Sequence, residues 1–229
     1  MKKIILIFLI FSITSCSILI KPKKLTDNEI KEKILANLSY FKNCKASGII
    51  NLSLKNFELK SNSLLRKKNK KLRIDIFSSG LLGLSPSPQA QILFDDSLNI
   101  FLPAKSILYV FKQDNKVNLN FDLQQIIKEY KNIEKTKTTC IISLHNTKLV
   151  FDKKFNLILI QYEKLKIILN NYRNNLPYIL HIFQDEKEFA NLIIDNWSFP
   201  ELKDKIFRLN IPEDVEIIQS GNIRNINKE

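Results

Sequence analysis

Residues 71–111, KLRIDIFSSGLLGLSPSPQAQILFDDSLNIFLPAKSILYVF, are the stretch that decides the fold. Leucine and isoleucine alternate with Arg73 and Asp75 at its start, and again on either side of Asn99. This two-residue period is typical of strands with one buried face. The connection 78–89 contains glycines and prolines, which end regular structure, yet it also contains Leu81, Leu82 and Leu84. Connections normally run over the surface, so an apolar one is expected to cover an apolar surface or to enter an apolar environment.

The same period recurs along most of the chain and predicts roughly ten to eleven short strands. Tight turns such as 95–97 join them, which favours antiparallel pairing. Two amphipathic helices are predicted, one after a capping box formed by Thr26 and Glu29 and one after Asn120. A long sheet with one apolar face has to be covered. The sequence therefore predicts an α+β fold, mainly antiparallel β, arranged as a curled half-open barrel with covering helices inside. A last short strand is predicted at 206–209.

The N-terminus has the pattern of an export signal. Lys2 and Lys3 precede an apolar run at 4–13, which is too short to span a bilayer and is typical of a secretory signal peptide. The following Ile-Thr-Ser-Cys16 resembles a bacterial lipobox, in which the cysteine becomes the lipidated first residue. An ordinary signal peptide with a chance cysteine is disfavoured because cysteine is scarce here. We expect a lipoprotein signal peptide at 1–15, a lipidated tether at 16–24, one folded domain at 25–220 and a frayed tail at 221–229.

The formal charge of +13 favours anionic partners, either lipid headgroups or an acidic protein. The lysines are spread along the chain, however, and the densest group, 66–71, falls where a hairpin turn is expected. A solvated turn is the favoured interpretation of that group, with a binding patch as the alternative. No nucleic-acid recognition motif is present, so a nucleic-acid partner is not expected.

The chain contains few groups suited to catalysis. His145 and His181 are the only histidines and lack metal-ligand spacing, and no nucleophile-elbow motif surrounds Ser85 or Ser87. His181 lies within a strand pattern, where a packed histidine is favoured over a catalytic base. Four glycines are too few for a phosphate loop. We therefore predict no enzyme, no cofactor and no metal. Beyond Cys16, the remaining Cys44 and Cys140 form either a disulfide or two free thiols.

The order of these features resembles the LolA/LolB family of lipoprotein-localisation proteins. The resemblance rests on the lipobox, the first helix, the entry Ala46-Ser47-Gly48 into a strand, the segment LRIDIFSSGLLG at 72–83 and LIIDNW at 192–197. A closing F-x-L-x-I-P segment at 207–212 resembles the broader carrier superfamily. The resemblance implies a half-barrel whose apolar cavity accepts the acyl chains of lipoproteins or other lipids.

The resemblance also implies partners and a location. Carried over by position, contact with the membrane or cargo falls to Leu81 and Leu82, with Leu84 as their neighbour. Ser17 after the cysteine, as in enterobacterial lipoproteins, favours anchoring in the inner leaflet of the cell outer membrane, facing the periplasm. A soluble periplasmic carrier is a further expected partner, and a monomer is expected. Candidate cavity residues are Ile34, Leu38, Ile50, Leu52, Leu72, Ile74, Ile76, Ile100, Tyr109 and Ile126. The alternative is a tethered structural lipoprotein, a scaffold with a filled core and no lipid cargo.

Overall fold

The computed structural model describes residues 25–54, 57–78, 87–95, 97–112, 123–130, 133–144 and 146–220. These residues form one sheet and two helices, α1 (Asp27–Ser39) and α2 (Leu123–Glu129). Short 3-10 helices occupy Pro103–Lys105 and Asp204–Phe207. The strands are β1 (Asn43–Leu54), β2 (Phe57–Lys68), β3 (Lys71–Phe77), β4 (Pro88–Phe94), β5 (Ser97–Leu102), β6 (Ile107–Lys112), β7 (Glu134–Lys135), β8 (Cys140–Leu144), β9 (Thr147–Phe151), β10 (Leu157–Tyr162), β11 (Leu165–Asn170), β12 (Ile179–Gln184), β13 (Lys187–Ser198) and β14 (Glu216–Ser220).

The sheet has the strand order β14-β6-β5-β4-β3-β2-β1-β13-β12-β11-β10-β9-β8-β7. Neighbouring strands are antiparallel, except that β14 runs parallel to β6. The pairing of β1 with β13 joins the N-terminal strands to the C-terminal strands. Within the described residues β14 and β7 pair with one neighbour each, so the sheet is open there.

The predicted mainly antiparallel architecture is confirmed, but the strand number is larger than predicted, at fourteen. The two-residue strand β7 is too short to produce a recognisable period. The prediction of a strand at 206–209 is wrong, because Asp204–Phe207 forms a 3-10 helix and the last strand is β14. β14 is parallel because the segment before it crosses from one end of the sheet to the other.

Helix α1 begins at the predicted capping box. The Thr26 side chain accepts a hydrogen bond from the Glu29 backbone N–H, and the Glu29 carboxylate accepts one from the Thr26 N–H at 2.7 Å. Ile30, Ile34 and Leu38 lie on one side of α1 and are buried. Neither described helix is long and apolar enough to cross a membrane.

The sheet has two chemically different faces. The face on which α1 lies is called the inner face, and its side chains follow from the strand register. In β3, for example, Leu72, Ile74 and Ile76 point to the inner face, whereas Arg73 and Asp75 point to the outer face.

Gly48 allows close approach at the centre of the sheet. The register of β1 and β13 shifts between Ser47 and Gly48. A Cβ atom at Gly48 would lie 2.0 Å from the backbone oxygen of Ile193. Only glycine therefore fits this junction without displacing backbone.

The outer face of β3 holds the C-terminal segment in place. The carboxylate of Asp75, 2% exposed, accepts hydrogen bonds from Arg73 Nη2 at 2.8 Å, from Arg66 and from Gln91. Arg73 Nη1 in turn donates to the backbone oxygens of Ile206 and Arg208 at 2.7 and 2.8 Å. One buried ionic network thus ties residues 204–208 to the sheet.

Candidate functional site

The inner face is apolar along almost its whole width. The strand register places seven of the predicted cavity residues on this one face, in strands that are neighbours in the sheet. They are Ile50, Leu52, Leu72, Ile74, Ile76, Ile100 and Tyr109. Ile92 of β4 lies between Ile74 and Ile100 in the same row. The two-residue period was therefore sufficient to select side chains that share a surface.

One part of this face is covered by the helices. The helix-covered part consists of α1, α2 and the inner face of β8–β11. Ile142, Leu149 and Phe151 are each 0% exposed there. The predicted cavity residues Ile34 and Leu38 project from α1 into this cluster, and they are also fully buried. The protein's own side chains fill the space between helix and sheet at these positions.

A second part of the inner face is less enclosed. The β3–β6 face consists of the inner-face side chains of strands β3 to β6. Leu72, Ile74, Ile100 and Tyr109 are all half-buried, although Ile76 and Phe111 on the same face are only 1% and 5% exposed. Tyr109 stacks on Phe111, with ring centroids 6.4 Å apart. Apolar surface is therefore only partly removed from solvent on this face.

Small side chains lie between these two parts. The inner-face positions here include two alanines, a glycine and two serines, which are Ala46, Gly48, Ser61, Ser63 and Ala190. The hydroxyl of buried Ser63 donates to the Gly48 backbone oxygen at 3.3 Å. Because this hydroxyl is satisfied locally, the centre of the face stays compatible with apolar neighbours.

A cleft opens beside the C-terminus of α1. It has a volume of about 80 Å³ and lies between α1, the β2–β3 turn and the start of α2. Its lining combines apolar and cationic side chains, namely Leu38, Phe41, Lys42, Lys67, Asn69, Leu123 and Gln124. Ligand pockets usually measure about 300–1,000 Å³. The cleft is therefore smaller than a compartment for a whole acyl chain.

The two cysteines of the described chain are both free thiols. Cys44 is buried in β1, and this burial raises the pKa of its thiol to about 11. Burial also raises the pKa of Cys140 in β8. Both thiols thus stay protonated at neutral pH, which does not suit nucleophilic chemistry.

The other titratable groups form structural contacts. His181 lies on the outer face, where Nδ1 is 2.8 Å from Glu188 Oε1. Burial raises the pKa of Tyr172, whose hydroxyl donates to the Leu157 backbone oxygen. Within the described ranges no three His, Cys, Asp or Glu side chains group as a metal site would require. His145 lies outside the described residues.

Several predicted functional residues also lie outside the described residues. These are Cys16 and the leucines Leu81, Leu82 and Leu84, and the side chain of Ile126 in α2 is likewise not described. The base of the 79–86 connection is described. There the Ser78 backbone N–H donates to the Ser87 backbone oxygen at 2.9 Å, and the two hydroxyls lie 3.1 Å apart. The connection therefore starts and ends at one point of the sheet.

Sequence reasoning missed a cluster of aromatic rings beside the cleft. Phe41 meets Trp197 edge-on at 5.8 Å, and Trp197 Nε1–H donates to the Pro177 backbone oxygen at 2.8 Å. Tyr40 and Phe199 lie 5.8 Å apart and are 45% and 48% exposed. The aromatic residues at 40–41 and 197–199 were the available signal, but nothing local indicates that the two segments meet.

Comparison with solved structures identifies the fold. A LolA superfamily protein from Nitrosomonas europaea matches with a TM-score of 0.50 and 15% identity, over 81% of this chain and 99% of that one. This chain therefore shares the fold of that LolA superfamily protein. A domain from Vibrio parahaemolyticus that carries the name of an outer membrane lipoprotein-sorting protein also matches this LolA-type fold. Its TM-score is 0.50 at 11% identity, over 80% of this chain and 97% of that one. No protein-family model and no curated protein matches the sequence.

Proposed function

We propose that this protein is a non-catalytic, outer-membrane-anchored lipoprotein that binds acyl chains on its inner face and helps to receive or insert lipoproteins. The observation that carries the proposal is the half-buried β3–β6 face within a LolA-type fold. A domain with this fold carries the name of a lipoprotein-sorting protein, which supports a role in lipoprotein sorting for this chain.

The energetics of acyl transfer fit a protein that uses no chemical energy. Burial of one methylene is worth about 0.8 kcal/mol, so a sixteen-carbon chain gains roughly 13 kcal/mol on leaving water for any apolar host. A membrane and an apolar protein face are both such hosts, so exchange between them is nearly balanced. The protein then has to supply an apolar surface, an entrance and a contact with the donor or acceptor.

In this proposal the sheet curls around the acyl chain as a half-open barrel, with α1 and α2 on its inner side. Because the helix-covered part is filled by its own side chains, we place the acyl chain over the β3–β6 face and the small residues beside it. The cleft of about 80 Å³ would be the start of the entrance, widened when α1 moves. That movement would break the hydrogen bonds of Asn37, which donates to the backbone oxygens of Lys154 and Phe155 at 3.0 Å and accepts from Asn175 at 3.3 Å.

The anchor and the loop have separate roles in this proposal. Lipidated Cys16 would hold the protein at the inner leaflet of the outer membrane. Leu81, Leu82 and Leu84 would contact the membrane or the incoming cargo, each gaining about 1.5–3 kcal/mol when buried. A soluble carrier that delivers lipoproteins through the periplasm is the expected donor.

Lipid retention and transfer test the proposal. Gently purified mature protein with Cys16→Ser should retain lipids detectable by mass spectrometry and bind a fluorescent fatty acid. Leu82→Glu should preserve folding and fatty-acid binding but abolish delivery of a lipoprotein to liposomes. Ser85→Glu, with the same charge in the same loop, is the matched control and should deliver normally. Unfolding of the Leu82→Glu variant would instead place this leucine in the core.

A second candidate function is a tethered scaffold without lipid cargo. The filled packing around Ile34, Leu149 and Phe151 favours it, since a scaffold needs no unfilled space. Mature protein that neither retains lipid nor binds the fluorescent fatty acid would support the scaffold and contradict lipid handling.

A further inference from the structure

The two ends of the sheet carry opposite charge. The helix end contains the C-terminus of α1, the turns after β2, β4, β9 and β11, and the segment after β13. Its described residues include nine cations and four anions, which are Lys42, Lys68, Lys70, Lys71, Lys153, Lys154, Arg173, Lys203 and Lys205 against Asp95, Asp152, Glu201 and Asp204. The loop end, at the start of β2, β4, β6, β9, β11, β13 and β14, includes four cations and seven anions. These are Lys105, Lys148, Lys164 and Lys187 against Glu58, Glu163, Asp185, Glu186, Glu213, Asp214 and Glu216.

The helix end also presents exposed aromatic rings. Tyr40 follows α1, Phe199 follows β13, and their rings contact each other while remaining almost half exposed. Aromatic rings flanked by lysines are typical of surfaces that meet the headgroup region of a bilayer. The basic ammoniums would attract anionic lipids, while the rings enter the interface.

The predicted anchor joins the domain at the same end. The backbone oxygen of Leu25 accepts a hydrogen bond from Lys135 Nζ at 3.0 Å, and Lys135 pairs with Cys140 at the start of β8. The start of β8 lies beside the turn after β9, which belongs to the helix end. Cys16 precedes Leu25 by nine residues. An extended chain of that length reaches at most about 30 Å, so the membrane is never far from this end.

We propose that the helix end docks on an anionic lipid bilayer, with Tyr40 and Phe199 at the interface and the surrounding lysines on the headgroups. The C-terminal end of β3 then lies away from that leaflet, because β3 is about 20 Å long and its first residues belong to the helix end. This orientation rests on the proposed anchoring.

Charge-matched variants test the docking. Mature protein with Cys16→Ser is sedimented with vesicles of phosphatidylcholine alone or with added phosphatidylglycerol. We expect binding only to the anionic vesicles, weakened at least tenfold by Lys70→Gln, Lys153→Gln and Lys203→Gln together. The triple variant Lys60→Gln, Lys105→Gln and Lys187→Gln loses the same charge elsewhere and should bind within twofold of the parent. Equal loss in both triples, or no binding to anionic vesicles, would overturn the proposal, and the latter would leave an acidic protein as the partner.

The single tryptophan reports the orientation directly. Trp197 contacts Phe41 at the helix end, so brominated phosphatidylglycerol should quench its fluorescence when the protein binds. A second protein carries Trp197→Phe and Phe183→Trp, which moves the reporter towards the loop end. It should remain unquenched, and stronger quenching of this protein than of the parent would reverse the orientation.

Two matched double variants test how much the aromatic rings contribute to vesicle binding. Tyr40→Ser with Phe199→Ser should weaken vesicle binding severalfold. Ile193→Ser with Ile217→Ser removes two similarly exposed side chains elsewhere, 41% and 58%, and should not weaken binding. Fatty-acid binding by the parent protein is measured in parallel. A parent protein that binds no fatty acid would contradict the proposed lipid handling, whereas a parent protein that binds fatty acid but not anionic vesicles would contradict only the docking.

Discussion

The helix-covered part and the β3–β6 face belong to one sheet and share one apolar side, but they differ in how that side is covered. Under α1 and α2, residues such as Leu149 and Phe151 are removed from water completely. On the β3–β6 face, Ile74, Ile100 and Tyr109 remain half-buried. A fold needs dense packing for stability and accessible apolar surface for binding a lipid. In the proposed function, the molecule separates these two requirements along its sheet.

The largest expected effect is in the helix-covered part. Phe151→Ala removes a ring that is 0% exposed and should lower the free energy of unfolding by about 3–5 kcal/mol in urea denaturation. Tyr109→Ala, which removes a half-buried ring of the β3–β6 face, is the matched comparison. We expect a loss of about 1–2 kcal/mol there. Equal losses would mean that the two parts do not differ in packing.

Gly48→Ala tests the junction that joins the two halves. The added Cβ would lie 2.0 Å from the Ile193 backbone oxygen, so β1 and β13 have to separate locally. We expect a loss of about 2–3 kcal/mol in the free energy of unfolding. Ser47→Ala, one residue earlier on the other face, should be close to neutral. A Gly48→Ala protein as stable as the parent would indicate that the junction is more plastic than its geometry suggests.

The sequence predicted what depends on local patterns. The alternation around Arg73 and Asp75 placed inner and outer residues of β3 correctly, and Thr26 with Glu29 identified the start of α1. Contacts between distant segments have no such local signature. Nothing near Arg73 predicts that it binds the backbone of Ile206, and this contact accompanies the crossing segment that leads to the parallel strand β14.

The candidate site was predictable in the same limited sense. Periodicity selected Ile74, Ile100 and Tyr109 as members of one face, because register follows from alternation. It could not indicate which of these side chains remain half-buried, since burial depends on where α1 and α2 lie. It also left the cysteines undecided, which the structure describes as two free thiols in different strands.

Alkaline pH should lower the free energy of unfolding because the Cys44 thiol is buried. Its pKa is about 11 in the folded protein against an ordinary value of 9.0, because burial disfavours the thiolate. Between these values the unfolded chain loses the proton while the folded chain keeps it. The contribution of the buried thiol to the free energy of unfolding is therefore complete below pH 9. It falls by about 2 kcal/mol as the pH rises towards 11. The difference in unfolding free energy between the parent and Cys44→Ala, measured from about pH 8 to 11, should change by this amount. A constant difference would mean that the thiol is hydrated in the folded state.

The smallest effect on stability should accompany the largest effect on lipid binding. Ile100→Ala removes three carbons from the half-buried β3–β6 face, so we expect a loss of about 1 kcal/mol in the free energy of unfolding. If an acyl chain packs on this side chain, the affinity for a fluorescent fatty acid should fall by about fivefold.

Leu149→Ala in the helix-covered part should show the reverse, with a loss of about 3 kcal/mol in stability and unchanged affinity in the folded protein. The two variants separate structural packing from ligand packing, because each alters one quantity and leaves the other nearly constant. If the Ile100→Ala protein loses as much stability as the Leu149→Ala protein and binds the fatty acid normally, the β3–β6 face is part of the ordinary hydrophobic core.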